Sequence, residues 1–208
     1  MVLKVEKSMS TSHEDLENLQ IIRDTMKRSH AVTSVSGVGV MAMGAVALLG
    51  AYLAPLLGNA EGRMYGWLMV AILGCCIGVV SIWYQSGGQG PVTRLRAGRR
   101  FGLSLAPPIV AGCVLTYVFL QIGYFDIMPG IWMLCYGAGI MTAGAFSIRL
   151  IPIMGMVFML LGTIGLYLPS DWFQPVWQHL ALVDFYLGAV FGGVHLLFGA
   201  IIALKLNS

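Results

Sequence analysis

Residues 181–204 read ALVDFYLGAVFGGVHLLFGAIIAL, and within them Asp184 and His195 are the only strongly ionisable groups. A run of about 20 apolar residues crosses the hydrocarbon core of a bilayer as a helix. A carboxylate and an imidazole kept inside such a run must face protein or water, because lipid solvates neither. Asp184, Gly188, Gly192, His195 and Gly199 follow one another at intervals of four, four, three and four, which predicts a single helix face. Glycine at that spacing, with the GxxxG pair Gly188–Gly192, lets a second backbone come close, so Gly188, Gly192 and Gly199 are expected to pack helices. Asp184 and His195 are the candidate lining of a polar pathway. The competing reading makes His195 a structural hydrogen-bond donor and leaves Asp184 in the headgroup zone.

Five further apolar runs precede this one, at 32–55, 64–84, 103–122, 129–147 and 150–168. The chain is 58% apolar and only 10% charged, against about 25% charged in soluble domains. Lipid is therefore the expected solvent for most of it. Backbone groups in lipid need internal partners, which helices supply, and the short alternating strands of a barrel are absent. The expected fold is an all-α polytopic transmembrane bundle of six helices. The eight prolines fall at run ends or in loops, with Pro107 and Pro108 near the start of run three. Trp67, Trp83, Trp132, Trp172 and Trp177 lie near expected interfaces, the depth an indole prefers.

Basic residues set the orientation. Lys4, Lys7, Arg23, Lys27, Arg28, Arg94, Arg96, Arg99, Arg100, Arg149 and Lys205 fall in one set of connections, and only Arg63 in the other. This bias puts both termini, the 85–101 loop and the 147–150 turn in the cytoplasm. Residues 1–30 form a cytoplasmic segment without a signal-peptide core, and 31–205 form the six-helix domain. Within the first segment Leu16, Leu19, Ile22 and Met26 make an apolar stripe over 12–28, with acids at its start and bases at its end. An amphipathic helix is expected there, lying on the inner leaflet, forming a short dimerisation seam or docking a cytoplasmic protein.

Arg94, Arg96, Arg99 and Arg100 in the loop, and Arg149 in the turn, are expected to touch anionic lipid headgroups and fix topology. The Gly-rich stretch before them lacks the strand, helix and Lys-Ser/Thr ending of a nucleotide loop. A net charge of +3 with scattered bases gives no nucleic-acid footprint. Cys75, Cys76, Cys113 and Cys135 sit inside apolar runs and are expected as small fillers, with no disulfide or metal pattern. His30, His179 and His195 fall at three different depths, so a bis-histidine haem is not expected, nor is another cofactor. No hydrolytic or metal-dependent motif occurs, so the chain is not expected to be an enzyme.

Three stretches, LQIIRDTMKRSHAVTSVSGVGVMAMG (19–44), IRLIPIMGMVFMLLG (148–162) and GAVFGGVHLLFGAIIALK (188–205), carry a resemblance. They resemble an uncharacterised family of small bacterial six-helix membrane proteins. Members have an IRxTMxRS segment before span one and FGGxHxxFG in the last span. The match covers well under half the chain. It implies a multi-pass protein of the bacterial cytoplasmic (inner) membrane, carries over no catalytic residue, and singles out Gly192, Gly193, His195 and Gly199.

Two functions follow as expectations. The first is a homo-oligomeric transporter or channel-like component for a small solute or protons. The second is a non-transporting sensor or recruiting module that acts on a cytoplasmic partner through the N-terminal helix.

Overall fold

The computed structural model describes residues 36–85, 91–145, 147–169, 171, 175–177 and 180–207. The expected amphipathic helix over 12–28, His30 and His179 lie outside the described residues. Each of the six apolar runs carries a helix. Ser36 caps α1 (Gly37–Leu53) by accepting a hydrogen bond from the Gly39 N–H at 3.2 Å. A 3-10 turn, Ala54–Leu57, closes it. There follow α2 (Ala60–Gln85), α3 (Pro91–Ile122), α4 (Met128–Gly144) and α5 (Leu150–Gly165). A short antiparallel hairpin of β1 (Pro175–Trp177) and β2 (Leu180–Ala181) leads into the last helix. That helix is built of α6 (Leu182–Leu187), a π-helical segment (Gly188–Gly193) and α7 (Val194–Asn207).

Four helical stretches, Gly37–Leu57, Ala60–Tyr84, Gly98–Ile122 and Leu182–Lys205, are long and apolar enough to cross a membrane. Large apolar side chains stand exposed along them, among them Val79 at 68%, Trp83 at 71% and Leu204 at 72%. Such apolar outer faces suit lipid and not water. The molecule is a helical membrane protein.

Close approaches between small residues set the packing. A Cβ on Gly44 of α1 would stand 2.8 Å from the Gly192 carbonyl oxygen, and one on Gly199 would stand 2.8 Å from the Gly37 carbonyl oxygen. α1 and the last helix therefore touch backbone to backbone. α4 and α5 do the same at Gly137 and Gly155, where a Cβ on Gly137 would meet the Gly155 oxygen at 2.6 Å. α3 packs on α4, and α2 on α1. α2 and α3 approach each other only sparsely, and an apolar cavity of about 180 Å³ lies between them.

Two expectations about run three are corrected. Residues 85–101 are not a loop throughout, because α3 begins at Pro91. Proline at the first position of a helix loses no hydrogen bond, and the leucine and arginines that follow are good helix formers. Pro107 and Pro108 lie inside this helix and not at its end. Pro108 has no N–H to give the Ser104 carbonyl. The Thr142 hydroxyl of α4 stands 3.0 Å from that oxygen, and at the same distance from the Ala138 and Gly139 carbonyl oxygens of its own helix, so three acceptors share its one proton. A neighbouring helix thus supplies the donor that the proline lacks.

Candidate functional site

The bundle carries two polar clusters at different levels along the last helix. The first sits at the end that holds the start of α2, the α3–α4 turn and the start of α6. Arg63 and Asp184 are buried there, at 7% and 1% exposure. The Trp67 indole N–H donates to Asp184 Oδ1 at 2.9 Å. Arg63 Nη1 stands 3.7 Å from Asp184 Oδ2, an ion-pair distance beyond hydrogen-bond reach. Oδ2 is buried and accepts no hydrogen bond from the described residues. A cavity of about 400 Å³ opens beside this group, lined by Arg63, Trp67, Trp132 and Asp184, with exposed Asp126 at its rim.

The second cluster lies deeper. His195 is 3% exposed. Its Nδ1 is 2.6 Å from the Phe191 carbonyl oxygen, and its Nε2 is 2.7 Å from the Tyr136 hydroxyl. A carbonyl only accepts, so Nδ1 carries a proton. In the neutral ring Nε2 is then the acceptor, and the tyrosine donates to it. Rings fix the imidazole from three sides. The Phe158 centroid is 5.1 Å away, Tyr136 is 5.5 Å away, and Phe191 is nearly parallel to it at 6.4 Å and 16°. Phe158 is itself fully buried and meets Tyr136 edge-on at 87°.

The apolar cavity between α2 and α3 reaches His195, Tyr136 and Thr116. Trp67 and Trp132 line this cavity and the outer one alike. Both cavities therefore end on the same two indoles. The indoles have their N–H groups committed: Trp67 to Asp184, and Trp132 to the Thr116 hydroxyl at 2.8 Å. Thr116 in turn donates to the Gly112 carbonyl at 2.7 Å.

The single face expected for Asp184, Gly188, Gly192, His195 and Gly199 is divided. Gly188 meets Ala51, Gly192 meets Leu48 and Gly44, and Gly199 meets Met41 and Gly37, all on α1. Asp184 faces α2, and His195 faces α4 and α5. A π segment, Gly188–Gly193, lies between Gly188 and His195, and its wider turn shifts the helical register; the three glycines keep one face across it, while His195 is turned off that face.

Other candidates lie elsewhere. Arg99 and Arg100 are exposed on the first turns of α3, and Arg149 is exposed just before α5. Arg94 and Arg96 belong to α3, with side chains outside the described residues. Cys75, Cys76 and Cys113 are exposed and Cys135 is half-buried, so the cysteines do not fill a core. Three of them, Cys75, Cys113 and Cys135, line the apolar cavity. Trp67 is buried at 5%, turned inward to Asp184. Sequence reasoning missed Arg63, Trp67 and Tyr136 as partners of Asp184 and His195. Arg63 did carry a signal, as the lone basic residue among the connections on its side of the bundle.

No family model matches the chain, and neither do a curated protein or a solved structure.

Proposed function

We propose that this membrane protein spans the bacterial cytoplasmic membrane six times, with both termini inside, and passes a small solute or protons between its outer cavity and His195. The positive-inside bias supports the orientation. In it, the Arg63–Asp184 end faces outward and Arg99, Arg149 and Lys205 face the cytoplasm. One observation carries the reading: the cavity beside Asp184 and the cavity reaching His195 meet at the same two indoles. Ionisable groups at intramembrane depth are rare, and carboxylates and imidazoles there mark proton relays and solute pathways. The π-helical turn beside His195 is a second feature common at functional positions.

The test is reconstitution into liposomes that hold a pH-sensitive dye. Wild-type protein should dissipate an imposed pH gradient. His195→Ala and Asp184→Asn should slow that dissipation strongly while the protein remains folded by circular dichroism. Unchanged rates in both variants would sink the proposal.

A further inference from the structure

The outer cavity has an unbalanced lining. It presents two carboxylates, Asp126 and Asp184, against one guanidinium, Arg63. Arg63 already faces Asp184, so an incoming anion would meet a cation that is engaged and two acids that repel it. Asp184 is 1% exposed, and one of its oxygens accepts no hydrogen bond from the described residues. A buried carboxylate oxygen without a donor is costly, and a ligand that brings an N–H or a positive charge would relieve it. Trp67 and Trp132 have spent their N–H groups on Asp184 and Thr116. What they offer a ligand is ring surface, whose negative π face attracts cations.

The second cavity begins on the same two rings and differs in character. Leu68, Ala71 and Ile109 are among its walls. Its strongest polar groups are paired with one another: Tyr136 with His195, Trp132 with Thr116, and Thr116 with the Gly112 carbonyl. A ligand entering there meets an apolar surface, open between two sparsely packed helices.

We propose that the two cavities form one binding site for an amphipathic organic cation, with an ammonium head at Asp184 and Asp126 against the two indoles and a hydrocarbon tail between α2 and α3. The outer volume of about 400 Å³ falls in the range of small-molecule sites. This deepens the pathway reading by naming its solute class, and it rests on that reading for the place of the site. The ammonium group can belong to a diffusible amphiphile or to a lipid headgroup.

Native mass spectrometry of the full chain, released from maltoside micelles, separates these cases. The protein is offered decyltrimethylammonium, decyl sulfate, phosphatidylethanolamine and phosphatidylglycerol in equal amounts. Retention of decyltrimethylammonium alone identifies a diffusible amphiphile, and retention of phosphatidylethanolamine identifies a lipid headgroup. Either supports the site. Asp184→Asn should weaken retention by about tenfold or more, the loss expected when one partner of a buried charge contact is removed. Should that variant fail to fold, Asp126→Asn at the exposed rim decides, with a smaller loss expected. Equal retention of the sulfate or of phosphatidylglycerol overturns the site, as does unchanged binding in the folded variants. Proton flux that depends on His195 with no ammonium species retained would reject this inference and leave the pathway reading standing. Ammonium binding with flux indifferent to His195 would do the reverse.

Discussion

The Tyr136 hydroxyl and His195 Nε2 lie 2.7 Å apart, while Nδ1 of the same ring is tied to the carbonyl one turn earlier in its own helix. The imidazole is thus held at both nitrogens, once by its own backbone and once by another helix. Its tautomer and tilt are fixed before any solute arrives.

Tyr136→Phe removes the only partner seen for Nε2 among the described residues and leaves that buried nitrogen unsatisfied. The expected loss is about 1–3 kcal/mol, read as a lower melting temperature in detergent. His195→Ala combined with Tyr136→Phe should cost less than the sum of the single changes, because the two groups share one bond. Additive losses would show that the hydrogen bond contributes nothing.

Gly44→Ala places a methyl group 2.8 Å from the Gly192 carbonyl oxygen. Overpacking of this kind is expected to destabilise by about 1–3 kcal/mol. Gly193→Ala is the matched control, since a Cβ there meets nothing within 4 Å. Thermal unfolding of the two variants side by side should show a loss in the first alone. Equal behaviour would mean that α1 and the last helix do not approach as described.

Thr142→Val should weaken the bundle by about 0.5–1.5 kcal/mol, because the Ser104 carbonyl then loses its share of the hydroxyl proton that makes up for Pro108. In a Pro108→Ala background the restored N–H serves that oxygen, and the same threonine change should cost less. A double-mutant cycle by denaturant or heat measures the difference. A cycle with no coupling would refute the compensation.

Arg63→Met is expected to be strongly destabilising, by about 3–5 kcal/mol, since it strands the buried Asp184 carboxylate. The pair Arg63→Met with Asp184→Leu should recover part of that loss. Melting temperatures of the single and double variants check it, and a double variant worse than both singles would contradict it.

Much of this fold was legible in the chain because membrane helices announce themselves by length and hydropathy, and because Pro55, Pro129 and Pro169 mark their ends. Run six was expected to begin at 181, and its helix begins at Leu182. Asp184 and His195 were legible as groups that lipid would not accept. Their partners were not. Tyr136 lies in an apolar run where a tyrosine looks like any other aromatic, and only folding brings α4 against the last helix. Arg63 entered only as the one basic residue outside the cytoplasmic connections, because hydropathy says nothing about which way a helix end faces. The start of α3 was hidden by the Gly-rich stretch before it, which masked a proline that opens a helix. The wide turn at Gly188–Gly193 leaves no compositional trace; the glycine face drawn across it from spacing packs on α1, but His195 is turned off that face.

That wide turn has an arithmetic consequence. A π turn is what remains when one residue is inserted into an ordinary helix, so deleting a single residue such as Ala189 would let the segment rewind as α-helix. Each residue of an α-helix turns the chain by about 100°. One excision would therefore swing His195 off Tyr136 while the glycines after it lost their alignment with α1. The ridge that packs and the ring that is held at both nitrogens cannot both be kept by a shorter chain.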